Sequence, residues 1–406
     1  MKTLKSVSAL AAVFLAFTLL ISSCAKDDDY EYFIGASQVV SYSSAAIETM
    51  MGLAVQAWPD LQDLDPYIDD GVRVYRLEYR TILKGKNIEA SGLVSIPATP
   101  GNYPVISFQN GTNTLNSNCP SENPTDYFYQ LVEFVASMGF IVVIPDYIGF
   151  GSSADMPHPY LLKVPTIESV CMMLQAVAEA TGEFGDVSVK NEYYLIGYSE
   201  GGLATFNSHC ELESDHAHYG LNLKGSACGA GPYDLEQMMV DMRTAVSYPV
   251  PAYIGYIINA WTYYDYIENS VPELLKEPYA TRLATLFDGN HSISEINAQL
   301  TTSIPDLLTD EFRNNGSSQA FESVTFSMGW NSAMAYKSEI PLLFVHGDAD
   351  TQVDVSNTES LYDLMILQGT SSDICTKKLL PGLDHGEAVV PFMIEGLKFI
   401  LNLRDV

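Results

Sequence analysis

Tyr193-Tyr194-Leu195-Ile196-Gly197-Tyr198-Ser199-Glu200-Gly201 is the stretch from which the rest of the chain can be read. Its first four residues are apolar and partly aromatic or β-branched, which reads as a buried strand, and the residues after Gly201 read as a helix. A chain that turns directly from strand to helix holds the residue at the turn in a strained backbone conformation with its side chain exposed. That residue is Ser199. Side chains flanking it would collide with the turn, which accounts for glycine at 197 and 201.

Working outward, the same rhythm recurs. Pro104–Phe108, Phe140–Ile144, Leu223–Cys228, Leu342–His346 and Lys378–Leu380 read as further short strands. Helical stretches separate them, over Asp126–Met138, Thr166–Thr181, Glu359–Leu367 and Glu387–Leu401. Strands apolar on both faces that alternate with helices imply a mostly parallel sheet covered on both sides. Val72–Leu83 and Ile88–Ile96 flank Lys84-Gly85-Lys86-Asn87 and predict an antiparallel hairpin. The apolar spacing of Gln38–Ala57 predicts a helix packed on the main domain. Residues 233–337 break the alternation, first rich in aromatics and Met, then helical and acidic, and read as an inserted helical cap.

A serine hydroxyl is a weak nucleophile, so Ser199 needs a base to take its proton and an acid to orient that base. His385 lies in a short loop between the last strand and the last helix and is the candidate base. Asp350 follows the strand Leu342–His346 and is the candidate acid, with Asp348 and Asp354 as nearby competitors. His346 ends a buried strand and reads as structural. His158 and His291 fall in loops with no partner in view, and His209, His216 and His218 match no zinc spacing. A tetrahedral intermediate needs donors for its oxyanion; the expected pair is the backbone N–H of Glu200 and that of Thr112, in the Asn110-Gly111-Thr112 loop after the first parallel strand. Gly149-Phe150-Gly151-Ser152-Ser153-Ala154 could pass for a dinucleotide fingerprint, but no acidic residue follows at the distance a ribose contact needs.

Taken in order, Asn110-Gly111-Thr112, Pro145-Asp146-Tyr147-Ile148-Gly149-Phe150-Gly151-Ser152-Ser153, Gly197–Gly201, Asp350 and His385 resemble the α/β-hydrolase superfamily, most of all its secreted lipase and esterase branch. The resemblance spans roughly residues 70–232 and 338–406. It implies an α/β-hydrolase fold with a core at 38–232 and 338–406 and the cap at 233–337. It further implies a Ser199–His385–Asp350 triad cleaving carboxylic esters through an acyl-enzyme, with no metal and no organic cofactor. Where relatives often carry His-Gly at the oxyanion loop, this chain has Asn110-Gly111. The substrate expected is a small-molecule or acylated-glycan ester. The competing readings are a peptidase in the style of prolyl oligopeptidases, which usually carry a large β-domain that is not seen here, and a binding lipoprotein that has kept the fold without the chemistry.

The ends and the composition place the protein. Lys2 and Lys5, the apolar run Ala9–Ile21 and the small residues before Cys24 read as a lipoprotein signal over 1–23, with Cys24 as the lipid-bearing residue. An acidic tether over 24–37 follows, carrying Asp27-Asp28-Asp29. The expectation is export and anchoring by the lipid alone, at the outer membrane, with an exterior-facing position open; the oligomeric state is not legible. Among 406 residues there are 20 Lys and Arg against 50 Asp and Glu, and no basic cluster, which argues against nucleic-acid binding. Six cysteines, with no CxxC and one assigned to the lipid, leave disulfide connectivity open.

Overall fold

The computed structural model describes residues 30–405. The expected signal, Cys24 and the acidic run at 27–29 lie outside the described residues. Among the described residues, no helix is long and apolar enough to cross a membrane.

Among the described residues nine strands form one sheet: β1 (Phe33–Tyr42), β2 (Val72–Leu83), β3 (Lys86–Pro97), β4 (Gly101–Gln109), β5 (Ile141–Pro145), β6 (Val187–Tyr198), β7 (Leu223–Gly229), β8 (Leu342–Gly347) and β9 (Cys375–Leu380). Their order is β1-β2-β3-β5-β4-β6-β7-β8-β9. The first three strands and the β3/β5 pairing are antiparallel, and every pairing from β5/β4 to β8/β9 is parallel. This is the α/β-hydrolase arrangement expected from the sequence. The β2–β3 hairpin closes tightly, with Leu83 opposite Lys86, so Lys84 and Gly85 alone make the turn, both at positive φ.

β5 and β8 are buried along their whole length because helices cover both faces of the sheet. Helices Lys163–Glu179, Glu200–Ser214 and Ser356–Leu367 pack on one face, and Ser44–Ala57, Tyr127–Glu133 and Val389–Arg404 on the other. Between β7 and β8 the chain leaves the sheet and forms a series of helices from Leu235 to Asn331.

One expectation is corrected. Gln38–Ala57 is not one helix: residues 33–42 are an edge strand paired with β2, and the helix begins at Ser44, capped by the Ser43 hydroxyl, which accepts from Ala46 N–H. The expected tether therefore ends in strand from Phe33 onward. The misreading has a physical cause. An edge strand lying largely exposed has no buried face to impose a period-two pattern, so Val40 fell into phase with the helix that follows.

Candidate active site

Ser199 stands at the carboxyl end of β6 with φ 60° and ψ −123°, the strained turn that the flanking glycines imply. A Cβ on Gly197 would lie 2.4 Å from the Gly201 carbonyl oxygen, and one on Gly201 would lie 1.9 Å from that of Gln109. Gly202, which the sequence reading passed over, is equally constrained: its Cβ would come within 2.2 Å of Gly229 O. The Ser199 N–H donates to that same Gly229 carbonyl at 2.9 Å, pinning the turn to β7.

The structure brings Ser199, His385 and Asp350 together. Ser199 Oγ is 2.9 Å from His385 Nε2, and His385 Nδ1 is 2.5 Å from Asp350 Oδ2. With Nδ1–H donating to the carboxylate, the imidazole presents a lone pair to the serine hydroxyl. Asp350 Oδ1 accepts from the backbone N–H groups of Gln352 and Val353 at 2.8 and 2.9 Å. Burial pushes this carboxyl up, but hydrogen bonds from His346 and His385, the neighbouring His385 charge and the Val353 amide outweigh it and hold the group well below the usual carboxylate range.

The two competing acids have other work. Asp348 accepts from Gly382 N–H at 2.6 Å, which ties the acid loop to the His385 loop, and Asp354 accepts from Ser356 N–H at the start of the next helix. A Cβ on Gly347 would sit 2.3 Å from Leu383 O, so these two loops touch backbone to backbone. Tyr198 O–H donates to the His385 carbonyl at 2.9 Å and ties the His385 loop to the strand that leads into Ser199.

Two histidines gain roles that spacing did not reveal. His346 Nε2 faces both Val353 O at 2.9 Å and Asp350 Oδ2 at 3.2 Å, so that nitrogen carries the proton, while Nδ1 meets the Thr358 hydroxyl at 2.7 Å. It helps to orient the Asp350 carboxylate. His158 is buried, with Nδ1 donating to Ile148 O and Nε2 against Glu200 Oε1, both at 2.7 Å. Gly149 leaves room for this: its Cβ would come within 2.4 Å of the His158 backbone. His209, by contrast, is bonded to Ser226 and approaches Ser338 and Glu213.

Glu200 opens the helix after Ser199, so its N–H has no intrahelical acceptor, and its side chain is anchored by His158. Gly111 packs against Ser199, its would-be Cβ 3.7 Å from the serine Cβ. The next residue, Thr112, is held through its hydroxyl by Tyr160 O–H at 2.9 Å, and Asn110 donates to Pro145 O. Tyr160 stacks on Tyr256, centroids 4.4 Å apart, and Tyr256 O–H donates to Asn113 O, so a cap helix braces the Asn110–Thr112 loop. Asp146, in the glycine-rich stretch after β5, accepts from Ser91 and Ser121 and organises the loops behind the site. The five described cysteines are unbridged.

A pocket of about 930 Å³, its open mouth included, reaches Ser199 and Glu200. Its wall comes mainly from the cap, with Met239, Ile257, Trp261, Phe312 and Met328 among the lining residues. The arrangement can deprotonate a serine hydroxyl beside an apolar cleft and offer backbone donors to an oxyanion.

Fold and site together define a serine hydrolase of the α/β-hydrolase superfamily. Residues 125–387 match the family described as serine aminopeptidase S33, and the chain belongs to that family. Among solved structures, the chain resembles a protein from Legionella pneumophila described as a hydrolase, at 26% identity and TM-score 0.81, over 92% of this chain and 98% of that one. It shares its fold with the rice cell wall degrading esterase LipA of Xanthomonas oryzae, at 22% identity and TM-score 0.77, over 92% and 97% of the two chains. Candida antarctica lipase A in its closed state is similar in fold at 14% identity and TM-score 0.66, over 94% and 86%. No curated protein sequence matches the chain.

Proposed function

We propose that this protein hydrolyses carboxylic esters. Ser199 Oγ attacks the acyl carbon while its proton passes to His385 Nε2, and Asp350 stabilises the imidazolium that forms. The N–H groups of Glu200 and Thr112 hold the oxyanion. Collapse of the tetrahedral intermediate expels the alcohol, which takes the proton from His385, and water activated by the same imidazole releases the acid. The observation that carries this reading is the 2.9 Å contact between His385 Nε2 and a serine on a strained turn at the foot of an apolar pocket.

An aminopeptidase would need free carboxylates to hold an α-ammonium group. This pocket wall carries one carboxylate, Glu200, whose Oε1 is engaged by His158 and whose buried Oε2 is unpartnered. The lining suits an acyl chain better. We place the enzyme outside the cytoplasm, lipid-anchored through Cys24 at the outer membrane; a Cys24→Ser variant that still partitions with membranes would contradict that placement.

The test of the activity is hydrolysis of p-nitrophenyl esters from acetate to palmitate, run beside an aminoacyl-proline amide, with the mature protein and with Ser199→Ala. Serine-dependent turnover of esters is expected. Turnover of the amide alone would make the protein a peptidase instead.

A further inference from the structure

The apolar pocket has one charged residue that the chemistry at Ser199 does not use. Helix Leu235–Thr244 follows closely on Gly229, the residue that accepts from Ser199 N–H, and turns Leu235, Met239 and Arg243 into the buried interior. All three line the pocket. Eight residues at about 1.5 Å each carry the wall about 12 Å from its Leu235 end to Arg243.

Arg243 is only 7% exposed, and its Nε has no hydrogen-bond partner. One guanidinium nitrogen donates to Ser317 Oγ at 2.9 Å, and the group lies 5.9 Å from the Phe312 ring centroid. Arg313 Nε donates to the Arg243 backbone carbonyl. Among the described residues no carboxylate forms an ion pair with Arg243, although acids outnumber bases 50 to 20 in the chain. An arginine stays ionised when buried, and a buried cation without a counter-charge is costly. What this end of the pocket lacks is a counter-charge for Arg243.

His385 does not line this pocket, and the leaving oxygen must face His385 to receive its proton. The arm that enters the pocket is therefore the acyl arm, which stays on Ser199 after the alcohol has gone. We propose that Arg243 forms an anion-binding end to the acyl pocket, so that the preferred acyl group carries a terminal carboxylate about ten bonds from the ester carbonyl, the number an extended chain needs for the span. This rests on the reading that Ser199 hydrolyses esters.

The test compares kcat/KM for three p-nitrophenyl esters: mono-p-nitrophenyl decanedioate, its neutral methyl diester, and decanoate. In the wild-type protein the free acid should exceed the methyl diester by about tenfold or more, the worth of a hydrogen bond to a charged group. The short butanedioate half-ester, which cannot span the pocket, should show no such preference over its own methyl diester. Arg243→Met should abolish the ratio and Arg243→Lys should retain part of it. Wild-type enzyme that cleaves both neutral esters in a Ser199-dependent way, with no preference for the acid, would overturn the inference alone. Turnover of none of the three would overturn the esterase reading and the inference with it. The wild-type comparison stands even where a variant fails to fold.

Discussion

Replacing Asp350 with Asn keeps the size and shape of the side chain and changes its hydrogen-bonding sense. The two backbone amides at Gln352 and Val353 can still be satisfied by the remaining oxygen. The amide nitrogen would then face His385 Nδ1 and His346 Nε2, both of which now donate to the carboxylate. His346 keeps its proton on Nε2, because Val353 O accepts there. His385 can answer the amide only by moving its proton to Nε2, the nitrogen 2.9 Å from Ser199 Oγ, where it no longer presents a lone pair. The base is lost while the fold is kept, and the imidazolium loses its counter-charge. In a serine–histidine–aspartate site this change lowers kcat by about 10⁴-fold, about 5.4 kcal/mol of transition-state stabilisation. The assay is steady-state hydrolysis of p-nitrophenyl butyrate by wild type and Asp350→Asn from pH 5 to 9, with thermal melting to establish that both are folded. A variant within tenfold of wild type at pH 7 would refute the tautomer argument.

The same carboxylate makes a prediction about acid stability. Its value is depressed in the folded state, so the stability it confers is full above the ordinary carboxylate range and is lost as pH falls below about 4, toward the folded value. Asp350→Asn should therefore flatten the acid limb of the stability profile, measured by urea unfolding from pH 7 downward. Glu133 is the opposite case: it is fully buried with neither oxygen bonded, and burial pushes it up to about 9. It is protonated in the folded protein and ionised in the unfolded chain above about pH 4.3, so it costs about 3 to 4 kcal/mol at pH 7, and the cost grows until pH 9. Glu133→Met should raise the melting temperature at pH 8 and leave it nearly unchanged at pH 4; a variant less stable at pH 8 would contradict the assignment. Gly201→Ala, whose Cβ would lie 1.9 Å from a backbone oxygen, should lose about 3 kcal/mol or fail to fold, and an alanine variant with wild-type melting would show the turn to be softer than described. His346→Ala should lower kcat about tenfold with little change in KM, and His346→Gln should recover part of it; a purely structural histidine would give loss of stability with kcat intact in the folded fraction.

What was legible in the sequence follows from how local each feature is. The turn at Ser199 is a contest between backbone and Cβ atoms a few residues apart, so Gly197 and Gly201 announce it directly. β5 and β8 were readable because both of their faces are buried, which leaves no polar position to blur the pattern. His385 and Asp350 were legible through their order after the serine and their place in loops following strands. By contrast β1 gains its identity from pairing with β2, about forty residues further on, and nothing in its own alternation says so. His158 and Arg243 were missed for a related reason. The first matters through a partner forty-two residues away in Glu200, and the second through the absence of one inside a cavity assembled from several cap helices. Neither property belongs to a local window of sequence.

The central claim is that Ser199 is a nucleophile activated by His385. It is tested most directly by reaction of the folded protein with a fluorophosphonate and mapping of the adduct by mass spectrometry. The account predicts one equivalent of label on the peptide carrying Ser199, and labelling slowed by orders of magnitude in His385→Ala. Stoichiometric label on another residue, or undiminished labelling of Ser199 without His385, would contradict it.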